Sequence, residues 1–158
     1  TDLFPLVRRV FETVGMAKVA TSGVEAVEFG FLDESDRVVI NGDYLIGEAK
    51  KMVLALDLAG FSPGRPREDI RVVGEPGLAA IRAGLHNMKA AGYITEYDMV
   101  VGDQLASILC GGEVAPGSRV SEQCLRDLER EAFLTLCGDP RTQARMEHIL
   151  TTGKPLRN

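Results

Sequence analysis

The sequence predicts an all-α protein, with about seven amphipathic helices in an orthogonal or bundle-like array and little or no strand. Apolar residues recur at helical spacing through most of the 158 residues. Serine, threonine or aspartate stands where several helices would begin, and glycine stands where they would end. Runs rich in β-branched residues are few and short, which disfavours a sheet.

Two helices are predicted at the start of the chain. The first runs from about Leu3 to Met16, because its apolar residues form one stripe: Leu6, Val7, Val10, Phe11 and Val14. The second begins at Ser22, which has the capping-box spacing with Glu25, so that each side chain could bond the other's amide. Gly30 suits the left-handed residue that ends such a helix.

A third, longer helix is predicted after a short β-branched segment, residues 37–40, that could be extended. It begins at Asn41 or Asp43, runs to about Ala59 and stops at Gly60. Its apolar face is broad and contains Leu45, Ile46, Ala49, Met52, Val53 and Leu56.

Residues 61–74 form the predicted boundary between two units. The segment FSPGRPREDIRVVG has two prolines, two glycines and several charges, so we expect a loop with an extended stretch near its end. The sequence therefore divides into an N-terminal helical unit (1–60), this linker (61–74) and a C-terminal helical unit (75–158).

Four helices are predicted in the C-terminal unit. Pro76 suits the first turn of a helix that runs to Ala91 and stops at Gly92. Thr95 and Asp98 form a capping signal for a helix that ends near Cys110. The last two begin at Ser121 and at Asp139-Pro140 and stop at Gly138 and Gly153.

Composition excludes several classes of function. The net charge is -5, with 18 basic residues scattered among 23 acidic ones, so no basic stripe indicates a nucleic-acid partner. No apolar run reaches the roughly 20 residues of a membrane span, and the charged start is not a signal peptide. Three cysteines in apolar helical contexts favour reduced thiols and a cytoplasmic location. The absence of an initiator Met favours a processed chain or an excised fragment.

No catalytic, cofactor-binding or metal-binding residue is predicted. His86 and His148 lack a ligand or base partner at a suitable spacing. Cys110, Cys124 and Cys137 have no CxxC spacing, so we interpret them as small buried apolar residues. The connector CGGEVAPGSR, residues 110–119, lacks the GxxxxGK[ST] pattern of a phosphate loop, so we expect a helix end and a turn.

Two segments resemble a known family. GMAKVATSGVEAVEFGFLDESDRVVINGDYLIGEAKKMVLAL, residues 15–56, resembles the end of the crotonase (enoyl-CoA hydratase/isomerase) domain. Residues 92–113, GYITEYDMVVGDQLASILCGGE, and the segment from Ser121 to the terminal KPLRN resemble the C-terminal end of bacterial and archaeal fused 3-hydroxyacyl-CoA dehydrogenases. In these fusions an NAD-binding domain precedes the crotonase domain.

The resemblance implies an enzyme of fatty-acid β-oxidation that oxidises 3-hydroxyacyl-CoA with NAD and hydrates enoyl-CoA. It also implies that the dinucleotide fingerprint, the oxyanion hole and the catalytic carboxylates lie upstream of this chain. No catalytic or cofactor residue is transferred, and we expect no cofactor in this part. The chain would complete the hydratase fold, cover the acyl-CoA site from one side and contact the upstream domains.

Two alternatives stay open at this point. The chain could be a stand-alone helical protein-interaction module. The helical unit could itself bind CoA through Lys50, Lys51, Arg65 and Arg67, although exposed surface residues are the simpler interpretation.

The N-terminal helices carry apolar residues that need a partner: Phe4, Val7, Phe11, Val14, Val24, Val27 and Phe31. Large exposed apolar patches are rare in monomers. We therefore expect these residues to pack on the C-terminal helices or to be buried in a homo-oligomer.

Overall fold

The computed structural model describes residues 2–158, which form seven α-helices and two very short strands. The helices are α1 (Phe4–Gly15), α2 (Gly23–Phe29), α3 (Leu45–Leu58), α4 (Gly74–Ala90), α5 (Glu96–Cys110), α6 (Glu122–Gly138) and α7 (Pro140–Thr152). A 3-10 turn, Gly42–Tyr44, precedes α3. The strands β1 (Ile70–Arg71) and β2 (Arg119–Val120) pair antiparallel. The predicted all-α fold class is confirmed.

The side chains that were predicted to begin helices accept the expected backbone hydrogen bonds: Ser22, Thr95, Ser121 and Asp139. At α5 the capping box is complete, because the Asp98 amide donates to Thr95 Oγ1 at 3.0 Å and the Thr95 amide donates to Asp98 Oδ2 at 2.9 Å. Left-handed glycines end three of the helices: Gly30, Gly111 and Gly153.

The capping box predicted at Ser22 is only half formed. The Glu25 amide donates to Ser22 Oγ at 3.1 Å, as expected. The Glu25 carboxylate instead accepts from the amide of Thr21 at 2.6 Å and from its hydroxyl at 2.7 Å. Two donors on Thr21 replace the single amide of Ser22, which corrects the prediction, and these hydrogen bonds lower the pKa of Glu25.

The chain forms two compact units. The larger unit contains the residues up to Ala17 together with Pro66–Asn158, and the smaller unit is Lys18–Arg65. The division at residues 61–74 that the sequence suggested concerns the domains of a parent polypeptide, and it stays a prediction. In the structure, α1 is grouped with the C-terminal helices.

The core of the larger unit lies between α4 and α5. Its buried residues are Leu78, Ile81 and Leu85 from α4 and Ala106 and Cys110 from α5. Three residues of the α1 stripe, Phe4, Val7 and Phe11, pack against this cluster. This contact explains why α1 belongs to the larger unit, since burying its stripe is favourable by roughly 25 cal/mol for each Å² of apolar surface.

The smaller unit contains α2, the 3-10 turn and α3, and none of its residues is fully buried. Val38 packs closely over Gly23, where a Cβ atom would lie 2.6 Å from Val38 Cγ2. Glu48 pairs with Arg37 at 2.6 Å and with Lys51 at 2.8 Å. Local contacts therefore hold this unit, and it has no apolar core of its own.

Candidate functional site

The structure does not bring the histidines and cysteines into a metal-binding cluster. His86 is exposed on α4, and His148 is half-buried on α7. Cys110 is buried in the core, whereas Cys124 and Cys137 are half-buried on α6, and all three thiols are free. Across residues 2–158, no group of three or more His, Cys, Asp or Glu side chains could hold a metal ion.

The connector of residues 110–119 is a helix end followed by a turn, as the sequence predicted. Gly111 has a φ of 83° and ends α5, and the Gly112 amide donates to the Ser107 carbonyl at 2.8 Å. The connector then leads into β2. It therefore ends α5 in a left-handed glycine cap, as expected.

The four basic residues considered for CoA fall in both units. Lys51 is paired with Glu48, and Lys50 is exposed on α3. Arg65 is exposed in the smaller unit, whereas Arg67 belongs to the larger one. The structure thus defines no single site for all four residues.

Tyr97 on α5 is the centre of a polar cluster in the larger unit. Its side chain is 1% exposed, and its hydroxyl lies 2.5 Å from Thr142 Oγ1 on α7. The guanidinium carbons of Arg141 and Arg145 lie 4.2 and 4.9 Å from the centre of its ring. Arg145 also pairs with Asp98 at 2.8 Å. Cation–π contacts and hydrogen bonds therefore fasten α7 to α5.

The terminal segment KPLRN contacts the same region. Arg145 Nε donates to Asn158 Oδ1 at 2.7 Å, and Asn158 Nδ2 donates to the Arg141 carbonyl at 3.1 Å. Arg157 donates to the Tyr93 carbonyl at 3.2 Å. No buried side-chain nitrogen or oxygen among the described residues lacks a hydrogen-bond partner, so this cluster contributes to the packing of α7 and of the terminal segment.

A groove beside the two-stranded sheet gathers basic side chains. It has a volume of about 410 Å³ and is lined by Leu3, Arg67, Asp69, Ile70, Arg71 and Arg119. We call it the arginine groove. Of these residues, only Arg67 was predicted as a possible contact for a ligand. Two short β-branched segments, IRVV and SRV, were the signal in the sequence that could have indicated strand pairing and thus the approach of Arg71 to Arg119.

An apolar groove adjoins the arginine groove, with which it shares Leu3 and Arg71. Its volume is about 340 Å³, and Phe4, Val73, Pro76, Ala80 and Pro116 form much of its wall. Both grooves lie within the larger unit. Together they form a surface that is basic at one end and mainly apolar at the other, where Asp2 contributes a carboxylate that accepts from the Phe4 amide at 3.0 Å.

The described residues do not form a site for NAD, which the family resemblance implies only for the upstream part of the parent polypeptide. A dinucleotide fold needs parallel strands joined by helices, with a GxGxxG turn at the phosphates. The described residues contain one sheet, of two short antiparallel strands, and the sequence lacks that turn. No chemistry through NAD is therefore assigned to this chain.

One protein comparison bears on the identity of the chain. The chain is 44% identical over 150 residues to a probable 3-hydroxyacyl-CoA dehydrogenase of Bacillus subtilis (strain 168). The match covers 95% of this chain but spans only 19% of the length of that relative. No protein-family model matches the chain, and no solved structure matches it.

The comparison confirms the predicted resemblance to a 3-hydroxyacyl-CoA dehydrogenase, at the level of that relative. The fusion to a hydratase and the role in fatty-acid β-oxidation stay predictions. In residues 2–158 no helix is both long and apolar enough to cross a membrane.

Proposed function

We propose that the chain is the C-terminal portion of a fatty-acid β-oxidation polypeptide. That polypeptide would combine an NAD-dependent 3-hydroxyacyl-CoA dehydrogenase with an enoyl-CoA hydratase of the crotonase family, and would act in the cytoplasm. The supporting observation is the 44% identity across nearly the whole chain to a probable 3-hydroxyacyl-CoA dehydrogenase. The match spans 19% of the relative. In this proposal, NAD and the catalytic residues belong to the remainder of the polypeptide.

Within the polypeptide, the chain would pack on the upstream domains and help to cover the acyl-CoA site. The support lies in the smaller unit, whose α3 exposes apolar side chains on more than one face: Leu58 is 90% exposed, Ile46 83% and Val53 63%. Val24 and Phe31 are also exposed, at 70% and 54%. Large exposed apolar patches are rare in monomeric proteins, so this surface supports the proposed packing role.

Activity measurements test the first part of the proposal. The purified 158-residue chain should neither hydrate crotonyl-CoA nor reduce NAD with a 3-hydroxyacyl-CoA. The full polypeptide encoded by the source gene should do both. Enzyme-like turnover by the isolated chain would contradict the proposal that the active sites lie in the upstream part of the polypeptide. A source gene whose reading frame begins near Thr1 would also contradict it.

Substitutions on α3 test the packing role. Leu58→Gln should leave the stability of the isolated chain nearly unchanged, because Leu58 is already exposed. In the full polypeptide it should cost about 2 kcal/mol of unfolding free energy, because a buried leucine is lost. Lys50→Gln, an exposed position on the same helix, is the matched control and should be neutral in both proteins. Equal costs in the two proteins would contradict the proposal.

The second candidate function is a stand-alone interaction module that forms a homo-oligomer through the same apolar side chains. Light scattering on the isolated chain over a range of concentrations distinguishes the two. A dimer that Leu58→Gln dissociates would favour the module. A concentration-independent monomer would favour an upstream partner.

A further inference from the structure

We propose that the arginine groove binds the phosphate group of an amphiphilic organic phosphate, whose apolar portion lies along the adjoining apolar groove. The proposal concerns the larger unit alone. It does not depend on the identity of the parent polypeptide, because binding can be measured on the isolated chain.

The first argument is an unfavourable pair of charges. Arg71 and Arg119 lie directly opposite each other in the antiparallel sheet. Directly opposed residues point to the same face of a sheet, and like charges there destabilise the pair. A sheet with only two residues per strand is marginally stable. An anion bound between the two guanidinium groups would reduce their repulsion and so stabilise the sheet.

The second argument is the balance of charge in the groove. Three arginines and one carboxylate, that of Asp69, line the groove. Asp69 lies 3.9 Å from Arg67 Nε and 3.4 Å from Arg119 Nη1, and the Arg67 amide donates to the Glu122 carboxylate at 3.4 Å. Arg71 has no ion pair among the described residues. The groove therefore has an excess of positive charge on a chain whose net charge is -5, which points to a specific anion rather than to general attraction.

The third argument is the chemistry of the side chains. All three cations are arginines, whose planar fork of donors matches the oxygens of phosphate and can bond two of them at once. The adjoining apolar groove begins at Arg71 and continues past Phe4, Ala80 and Pro116. A phosphate that carries an alkyl or acyl chain would satisfy both ends of this surface.

Calorimetric titration of the chain with octyl phosphate, with inorganic phosphate as the comparison, tests the proposal. Octyl phosphate should bind at least about tenfold more tightly than inorganic phosphate, because its chain buries apolar surface. Arg71→Gln and Arg119→Gln should each weaken octyl phosphate binding about tenfold, the loss of one charge-assisted hydrogen bond. Arg130→Gln, on the exposed face of α6, is the matched control and should change nothing.

Arg71→Glu separates loss of binding from loss of folding. The introduced carboxylate would face Arg119 with opposite charge, so this variant should unfold at a higher temperature than the parent chain while losing octyl phosphate binding. Equal affinities for octyl phosphate and inorganic phosphate would contradict the proposal that the apolar groove binds the apolar portion of the ligand. No binding at millimolar concentrations, or binding that both glutamine variants retain, would overturn the site itself.

Discussion

The hydroxyl of Tyr97 and Oγ1 of Thr142 lie 2.5 Å apart, which joins α5 to α7 across 45 positions of sequence. Tyr97 is 1% exposed, so its hydroxyl is shielded from bulk water, and Thr142 is half-buried. The guanidinium groups of Arg141 and Arg145 lie over the ring of Tyr97. This polar cluster therefore links α7 to α5.

Tyr97→Phe should lower the unfolding free energy by about 1 kcal/mol, because it removes one hydrogen bond and leaves the Thr142 hydroxyl without its partner. Urea denaturation of this variant, of Thr142→Ala and of the double variant gives the coupling energy between the two residues. The double variant should cost less than the sum of the single ones. Strict additivity would show that the two hydroxyls do not stabilise each other.

The start of α4 should not tolerate a side chain at Gly74. Its φ is +65°, and a Cβ atom there would lie 2.2 Å from the carbonyl oxygen of Val114. Gly74→Ala should therefore lower the unfolding free energy by more than about 2 kcal/mol, because the backbone of the opposing segment must move to admit the methyl group. Gly84→Ala on the same helix is the control: nothing lies within 4 Å, so it should stabilise by about 0.5–1 kcal/mol in thermal or urea unfolding. A tolerated Gly74→Ala would contradict this close approach.

Asp98 should contribute to the loss of stability in acid. Burial alone would raise the pKa of Asp98, but hydrogen bonds from Thr95 and Arg145 together outweigh burial and lower the pKa. Because folding lowers the pKa of Asp98, the ionised side chain contributes fully to the unfolding free energy above its unfolded pKa of about 3.9. This contribution is lost as the pH falls through the pKa of the folded protein.

Asp98→Asn should thus cost about 1 kcal/mol at pH 7 and make the fall in unfolding free energy between about pH 5 and 3 less steep. Urea denaturation at several pH values measures both effects. Asp127→Asn, on the exposed face of α6, should change neither. A parent-like acid slope in the Asp98 variant would contradict the prediction.

Cys110 should be protected from thiol reagents. It is completely buried in the core, and burial raises the pKa of its thiol, so little thiolate forms. In a variant with Cys124→Ser and Cys137→Ser, labelling by a disulfide reagent should occur only at the rate of unfolding. Fast labelling in the native protein would show that the α4–α5 core opens locally.

The helices and their ends could be predicted because the information is local. The start at Ser121 depends on a hydroxyl three residues from the Cys124 amide, and the stop at Gly153 depends on a left-handed backbone that glycine adopts without strain. Where a nearby donor competes, prediction fails in detail. The Glu25 carboxylate accepts from the amide and the hydroxyl of Thr21 instead of from the Ser22 amide.

The absence of catalytic residues was predicted from spacing, and it stays a prediction. The arginine groove could not be predicted in the same way. Arg71 and Arg119 are 48 positions apart, and only the pairing of β1 with β2 places them together. Periodicity and caps contain no information about which distant short segments pair.

The sequence by itself determined the helical class and nearly every helix end, because spacing and capping act within one or two turns of the chain. Only the tertiary structure decided that α1 packs on the α4–α5 core, that Tyr97 lies beneath two arginines and that two cations share one face of a small sheet. Each of these contacts joins residues far apart in the chain, and long-range packing, rather than local propensity, selects among such partners.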